Sequence, residues 1–353
     1  MNLKSKYLLL LFFLIGYNTL YCQKKDTVRS LDPATDLYKL ALKEIDSSRF
    51  KQAIKILNQA VKKNPEMVAA YNKLAYCKMH LQDYKGAQKD LEQSLKLDHD
   101  HEETIKHLGR AFFLDNKFDE AQKHYDEALK MMIDDYELIY YMAELKLAKK
   151  DINGALNSIN DCLFYNPNYA KAILKRGEIK YYQKEYRYAI KDIIDGLKLS
   201  TDTLFDIELN RIKAKSYFEI SDFKNAVKTY SEIINRNAKD EDALLYRGAA
   251  KININDFSGA VSDLDKVISI NKKNHIAFNF RGTAKGGLSN FLEAIADLDQ
   301  SIKLKFDYHS AYVNRAAIKL ASKDKKGACS DLEKADQLGS PIAYKLIEDY
   351  CTR

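Results

Sequence analysis

The sequence predicts an all-α protein built as an α-solenoid, a stack of about nine helix pairs closed by one further helix. Two observations lead to this prediction. A short motif ending in alanine recurs nine times along the chain at an almost constant period, which is the signature of a repeat array. The composition agrees with a helical protein, since only 13 glycines and 4 prolines occur in 353 residues.

The recurring motif begins with a mostly aromatic residue and ends three residues later in alanine, as in Phe50–Ala53. Successive alanines are 34 residues apart, apart from one step of 37 residues that should lengthen a loop or the next helix. The nine alanines are Ala53, Ala87, Ala121, Ala155, Ala189, Ala226, Ala260, Ala294 and Ala328. In the last copy Lys325 replaces the aromatic residue, as expected of a terminal repeat.

A second small residue lies twelve positions before each of these alanines, and it is alanine or glycine in all nine copies. Large side chains mostly lie four positions before it, and others lie four positions after the motif alanine. A spacing of four places side chains on one face of a helix. Each copy therefore predicts two short helices of about 13 residues, which are marginal alone and need stacked neighbours to complete their core. The nine small residues are Ala41, Ala75, Gly109, Ala143, Gly177, Ala214, Gly248, Gly282 and Ala316.

This combination of period, helix pair and small residues resembles the tetratricopeptide repeat family. The resemblance covers residues 34–339 and nine repeats. It implies a right-handed superhelix whose first helices line a concave side, where partner peptides usually lie. The chain departs from the family pattern in two ways. The proline that closes the second helix remains only as Pro65 and Pro167, and lysine usually replaces the tyrosine in the middle of the first helix.

Residues 1–22 predict a secretory signal peptide. Lys4 and Lys6 precede an apolar run from Tyr7 to Ile15, and a polar segment follows before Cys22. The apolar run is too short for a transmembrane helix, which needs about 20 residues. We therefore expect an exported protein of bacterial type, periplasmic or extracellular, with no membrane insertion after the signal is cleaved.

Lipid attachment at Cys22 is the alternative to soluble export. It is disfavoured because lipoprotein signals have small residues before the cysteine, whereas Leu20 and Tyr21 are large. Residues 23–33 predict a polar linker between the signal peptide and the first repeat.

Four repeats carry an arginine, a lysine four positions later and an aspartate twelve positions after the lysine. The sets are Arg176/Lys180/Asp192, Arg247/Lys251/Asp263, Arg281/Lys285/Asp297 and Arg315/Lys319/Asp331. We interpret them as ion pairs between the two helices of one repeat, because a partly buried arginine without a partner would be costly. The alternative is a basic stripe for anionic ligands. Acidic and basic residues otherwise alternate, so no nucleic-acid partner is expected.

Residues 340–353 predict a capping helix and tail, with Ser340 as N-cap and Pro341 in the first turn. Residue 340 is midway between Cys329 and Cys351, so a helical hairpin folded there would bring the two cysteines together. Because an exported protein meets an oxidising compartment, we predict a disulfide between them. Cys77 and Cys162 are expected to be buried free thiols.

Catalytic motifs are missing, so we expect neither an enzyme nor a cofactor. The segment from His99 to His107 has spacing that could recruit a transition metal, through His99, His101 and Glu103. A polar loop with surface histidines is the favoured interpretation, because metal sites need a more fixed geometry, and no metal site is predicted.

The resemblance places ten residues on the concave side: Asn72, Tyr76, Lys106, Arg110, Tyr140, Glu144, Glu178, Arg211, Lys215 and Asn279. They are polar, aromatic and of both charge signs. Asn72 followed by Lys106 and Arg110 does not reproduce the carboxylate clamp of some family members.

The predicted function is a non-catalytic scaffold or adaptor that binds another protein or peptide on its concave surface. The alternative is a solenoid that binds glycans or cell-wall fragments. Exposed tyrosines would then stack on sugar rings, and the candidates are Tyr38, Tyr76, Tyr140 and Tyr182. The charge-rich lining favours the scaffold.

Overall fold

The computed structural model describes residues 32–200 and 205–351, and the described part is helical with no strand. The predicted signal peptide and nearly all of the predicted linker lie outside these residues. Helix formation begins at Pro33, with the Asp32 carboxylate accepting a hydrogen bond from the Ala34 amide as N-cap.

The chain divides into two compact units, residues 1–158 and 159–353, with the division inside one helix. The first unit contains α1 to α7 and the start of α8. These helices are α1 Pro33–Asp46, α2 Phe50–Lys63, α3 Val68–His80, α4 Tyr84–Leu97, α5 Glu102–Leu114, α6 Phe118–Met131, α7 Tyr136–Ala148 and α8 Ile152–Tyr165.

The second unit contains the end of α8 and eleven further helices. They are α9 Ala170–Tyr182, α10 Tyr186–Leu199, α11 Phe205–Glu219, α12 Phe223–Arg236, α13 Glu241–Asn253, α14 Phe257–Ile270, α15 His275–Gly287, α16 Phe291–Leu304, α17 His309–Ala321, α18 Lys325–Gln337 and α19 Ala343–Tyr350. In each unit the helices form consecutive pairs, and first helices of neighbouring pairs also contact each other, as α5 contacts α7 and α15 contacts α17.

The predicted small residues lie where the two helices of a pair cross. A Cβ atom on Gly109 would lie only 2.6 Å from the ring of Tyr125, and one on Gly282 would lie 2.8 Å from Cγ of Leu298. All nine motif alanines are fully buried. Small residues at these positions therefore let the paired helices approach closely, as the sequence predicted.

The longer step between repeats five and six precedes α11. This helix has 15 residues, whereas the first helices of the neighbouring repeats have 13. Part of the insertion therefore lengthens the helix that follows, and residues 201–204 lie outside the described part.

The C-terminal helix α19 begins later than predicted. Ile342 occupies the N-cap position without a side-chain cap, while Ser340 is buried and its hydroxyl makes no hydrogen bond within the described residues. The prediction of Ser340 as N-cap is wrong, because the Pro341–Ile342 turn comes between this serine and the helix. The α19 helix packs against a cluster that includes Ala328 and Leu332, and thereby covers the end of the last repeat.

Candidate partner-binding face

The ten predicted lining residues all lie on first helices of the pairs. They lie on α3, α5 and α7 in the first unit, and on α9, α11 and α15 in the second. We call the surface formed by first helices within a unit the first-helix face. Many of these side chains form hydrogen bonds or ion pairs with residues on, or at the start of, the next first helix. These polar contacts hold successive first helices together.

Lys106 is not an exposed cation, since only 3% of its side chain is accessible. Its ammonium group lies 2.9 Å from Asp135 and 2.9 Å from Glu103. Burial lowers the pKa of Lys106, but the hydrogen bonds to Asp135 and Glu103 outweigh this effect and raise it. Asp135 also caps α7 by accepting from the Leu138 amide, so Lys106 ties α5 to the start of the next first helix.

Arg110 on α5 donates to Glu144 on α7 at 2.7 Å. Its guanidinium also lies over two aromatic rings, 4.5 Å from the centroid of Tyr141 and 5.0 Å from that of Phe113. Below these groups Tyr125 is fully buried, with its ring centroid 6.2 Å from that of Tyr141. The predicted residues Arg110 and Glu144 are therefore brought together, as partners of each other.

Asn72 and the two predicted tyrosines of the first unit differ in exposure. The Asn72 amide donates to the Thr104 hydroxyl at 2.8 Å, again linking successive first helices. Tyr76 is partly exposed, and its ring packs edge-on against His80 with centroids 4.5 Å apart. Tyr140 is only 6% exposed, so its ring offers no surface on which a ligand could stack.

In the second unit the predicted lining is also mostly paired. Arg211 donates two hydrogen bonds to the Asp240 carboxylate, at 3.1 and 2.9 Å. Glu178 accepts from Lys175 at 2.7 Å. Asn279 is buried and its side-chain oxygen accepts from the Asn314 amide at 2.9 Å.

Lys215 is the exception among the predicted cations. Within the described residues its ammonium group has no ion-pair partner, and it lies 5.9 Å from the ring centroid of Tyr246. It lines a cavity of about 130 Å³ on the first-helix face. The other lining residues are Tyr181, Phe218, Glu219, Tyr230 and Tyr246.

The predicted ion pairs between the helices of one repeat are confirmed. Arg247 donates to both oxygens of Asp263, at 2.8 and 2.6 Å, and Lys251 lies 2.8 Å from the same carboxylate. The same three-way contact occurs in the sets of Arg281 and Arg315.

Repeat five departs from this pattern. Arg176 still binds Asp192, but Lys180 pairs with Glu185. Sequence reasoning also missed one pair of this kind, in which Lys78 lies 2.6 Å from Asp90. These two residues have the same twelve-residue spacing, which is the signal that could have revealed the contact.

The histidine-rich segment takes part in helix capping. Nδ1 of His101 accepts from the Thr104 amide at 3.2 Å, at the start of α5. His99 is highly exposed and lies beside Asp100. Over the described ranges, 32–200 and 205–351, no group of three potential metal ligands comes together.

Cys329 and Cys351 form a disulfide, with Cα atoms 5.7 Å apart. Cys77 and Cys162 are buried and make no disulfide. Burial raises the pKa of the Cys77 thiol to about 11, so this thiol is largely protonated at neutral pH. In the part of the chain that the structure describes, none of the helices combines the length and the apolar character needed to cross a membrane.

Comparisons with known proteins agree with the fold. Residues 66–134 match the tetratricopeptide repeat family model. BBSome complex member BBS4 of Bos taurus is 29% identical over 143 residues, which is 39% of this chain and 27% of that protein. This chain therefore spans little more than a quarter of that relative.

Two solved structures share the fold at low identity. PilF of Pseudomonas aeruginosa is 15% identical with a TM-score of 0.51, over 58% of this chain and 92% of the other. PilW, described as a widely conserved type IV pilus biogenesis factor, is 15% identical with a TM-score of 0.51, over 57% of this chain and 92% of the other.

Consecutive helix pairs with small residues at each crossing define the described chain as a helical repeat protein. Residues 66–134 match the tetratricopeptide repeat family, and the same kind of helix pair is repeated from α1 to α18. This fold supports a role in protein–protein interaction.

Proposed function

We propose that this protein is a non-catalytic scaffold or adaptor of the cell envelope or extracellular space, which binds a partner protein or peptide along its first-helix face. The observation that carries the proposal is the polar network between successive first helices. Arg110 is fixed by Glu144, and Arg211 is fixed by Asp240. Side chains that are already ordered lose little freedom on binding, which favours recognition of a partner by a preformed surface.

Export is a separate part of the proposal. It is supported by the signal-like residues 1–22 and by the Cys329–Cys351 disulfide, because disulfides persist mainly in oxidising compartments. The mass of the mature protein tests it. Soluble export predicts a chain that begins at Gln23, whereas lipid attachment would retain Cys22 with added acyl mass.

The glycan-binding alternative is less well supported. A sugar groove needs several exposed aromatic rings close together, but Tyr140 is buried and Tyr76 packs against His80. Tyr182 is exposed, yet it lies in the other unit.

Site-specific photo-crosslinking tests the binding face. The photoreactive residue is placed at Tyr76 or Glu178 on first helices, and at Phe164 or Leu292 on second helices as matched controls. The mature chain, residues 23–353, is incubated with envelope fractions. We expect a protein to be cross-linked from the first-helix positions only. Cross-links confined to Phe164 and Leu292, or hits on a glycan array without any cross-linked protein, would contradict the proposal.

A further inference from the structure

Two clusters of aromatic residues and a cation are related by a shift of 105 residues. The first cluster consists of Arg110, Phe113, Phe118, Tyr125 and Tyr141, and the second of Lys215, Phe218, Phe223, Tyr230 and Tyr246. Their geometries correspond. The two tyrosine rings are 6.2 Å apart in both clusters, and the two phenylalanine rings are 5.7 Å apart in the first and 5.2 Å apart in the second.

The clusters differ in their acidic groups, since Glu144 of the first corresponds to Ala249 and Leu114 of the first corresponds to Glu219. In the first cluster Glu144 accepts a hydrogen bond from Arg110 and neutralises it. The residue 105 positions after Glu144 is Ala249, which has no polar side chain. Among the described residues no other carboxylate forms an ion pair with Lys215. The second cluster therefore keeps the cation of the first and lacks the carboxylate paired with it, since Glu219 lines the same cavity without forming an ion pair with Lys215.

A cavity is present beside this unpaired cation. It has a volume of about 130 Å³ and is lined by Lys215, Tyr230 and Tyr246, with Glu219 also contributing to its wall. A water molecule takes about 30 Å³ in the liquid, so the cavity can admit a group the size of a carboxylate with its adjoining methylene.

Tyr230 supplies a hydrogen-bond donor at this cavity. The residue is 0% exposed, and its hydroxyl makes no hydrogen bond within the described part of the chain. A buried donor without an acceptor is costly, so an incoming acceptor would be stabilised there. The hydroxyl of Tyr125 is also buried, but it interacts with the guanidinium of Arg110. The difference that bears on an incoming acid is the carboxylate of Glu144, which pairs with the cation of the first cluster and has no counterpart at Ala249.

We propose that the second cluster binds a carboxylate of a partner chain, which takes the place that Glu144 takes in the first cluster. The ligand is an acidic side chain or a chain terminus of a peptide or protein. Lys215 supplies the charge, the Tyr230 hydroxyl donates a hydrogen bond, and the aromatic rings cover the methylene groups. The inference rests on the proposed function, because it assumes that the partner is a polypeptide.

Three acetylated peptides test the chemistry against the mature chain. The first, Gly-Ala-Glu-Ala-Gly amide, has only a side-chain carboxylate. The second, Gly-Ala-Gln-Ala-Gly acid, has only a terminal carboxylate, and the third, Gly-Ala-Gln-Ala-Gly amide, has neither. Binding is followed by NMR titration of the tyrosine ring signals. We expect the first or the second peptide to bind about tenfold more tightly than the third, and the better of the two identifies the source of the carboxylate. Equal affinities for all three peptides would overturn the proposal.

Variants show which cluster is responsible. Lys215→Met should weaken binding of the carboxylate peptide about tenfold, and Tyr230→Phe should weaken it about fivefold. Tyr125→Phe removes the same hydroxyl from the first cluster and should leave the affinity unchanged. An unchanged affinity in Lys215→Met, with the fold intact by circular dichroism, would refute the assignment.

A reciprocal pair of variants tests the comparison between the clusters. Ala249→Glu places an internal carboxylate in the second cluster and should abolish peptide binding. Glu144→Ala should open the first cluster, so that a second peptide binds. Neither effect is expected if the difference between the clusters is unrelated to binding.

Failure of this inference can be separated from failure of the proposed function. A protein cross-linked at Tyr76 or Glu178 that binds Lys215→Met as tightly as wild type would refute the carboxylate site and leave the scaffold proposal intact. Binding of the acidic peptides without any cross-linked protein would support the site and refute the scaffold proposal.

Discussion

Asp263 shows how a single residue joins several helices. Its buried carboxylate receives Arg247 and Lys251 from the first helix of the same repeat. Arg247 also donates to the Ser231 hydroxyl on α12, in the preceding repeat. Arg247 thus bonds to the second helices of two successive repeats. The residues it contacts are 16 positions before it and 16 positions after it in the sequence. Arg281 makes the same two-sided contact, with Asp265 and Asp297.

Asp263→Asn tests the importance of this buried carboxylate. The substitution keeps the size of the side chain but leaves two partly buried cations without a counter-charge, so it should lower the free energy of unfolding by about 3 kcal/mol. Urea denaturation measures the change. The control is Asp195→Asn, which removes an exposed partner of Lys198 and should cost less than about 0.5 kcal/mol. Equal costs for the two variants would show that burial does not set the strength of these pairs.

Two aspartates, the buried Asp263 and the partly buried Asp90, should affect stability with opposite dependence on pH. Burial opposes ionisation of Asp263, but hydrogen bonds from Arg247 and Lys251 outweigh it and lower its pKa. The stability that Asp263 contributes is therefore present above its unfolded-state pKa and lost as the pH falls through the folded value. Burial raises the pKa of Asp90, and the opposing effect of Lys78 is smaller. Its contribution is present below the unfolded-state pKa and lost as the pH rises through the folded value.

Thermal unfolding of Asp263→Asn and Asp90→Asn between about pH 3 and pH 6 measures these slopes. Relative to wild type, we expect the melting temperature of Asp263→Asn to fall as the pH rises. That of Asp90→Asn should rise relative to wild type over the same range. Differences that change in the same direction for both variants would contradict the assignment of the two pKa shifts.

At the scale of the helix pair, the turn between the two helices is the most regular feature. In all nine pairs one residue of this turn has a positive φ angle, from 56° to 68°, and none of them is glycine. They are Ser48, Gln82, Asn116, Lys150, Lys184, Ser221, Asn255, Ser289 and Lys323. Left-handed backbone costs a residue with a Cβ atom about 1 kcal/mol relative to glycine.

Lys184→Gly should therefore stabilise the protein by about 0.5 kcal/mol, because removal of the Cβ atom relieves the left-handed conformation and part of this gain is lost to chain entropy. The matched control is Lys191→Gly, since Lys191 is also exposed but lies within α10. That change should destabilise by about 0.5 to 1 kcal/mol. The midpoint of urea unfolding measures both effects, and destabilisation by both variants would show that the turn gains nothing from glycine.

Contacts within a repeat could be predicted from sequence spacing, because two helices joined by a short turn meet at fixed positions. Lys and Asp twelve residues apart contact each other in four of the five repeats that carry both at these positions. At the same two positions of repeat three, Phe112 stacks on His124 with centroids 5.4 Å apart. Contacts between repeats were not predicted. Lys106 was expected to line an open surface, but Asp135 of the next repeat covers it. Such contacts depend on the rotation between neighbouring pairs, which the period of the sequence does not specify.

At the scale of the whole chain, stability should be distributed along the repeats. Within each unit, helix pairs contact their neighbours in sequence, so a change at one end affects mainly the adjacent pair. The described C-terminal end is closed by α19 and by the Cys329–Cys351 disulfide. Without this helix, the apolar residues around Leu332 would meet water. The disulfide therefore fixes α19 to α18, the second helix of the last pair.

The double variant Cys329→Ser, Cys351→Ser tests this view of the disulfide. The loop it closes has a sequence separation of 22 residues. A disulfide across a loop of this size stabilises by about 3 kcal/mol in the chain-entropy model. Because energy is shared mainly between neighbouring repeats, the loss should appear in α18 and α19 and fade towards α13. Hydrogen exchange followed by mass spectrometry measures this gradient, with wild type before and after reduction as the control. A uniform loss of protection through α13 and α14 would show instead that residues 159–353 unfold as one cooperative unit.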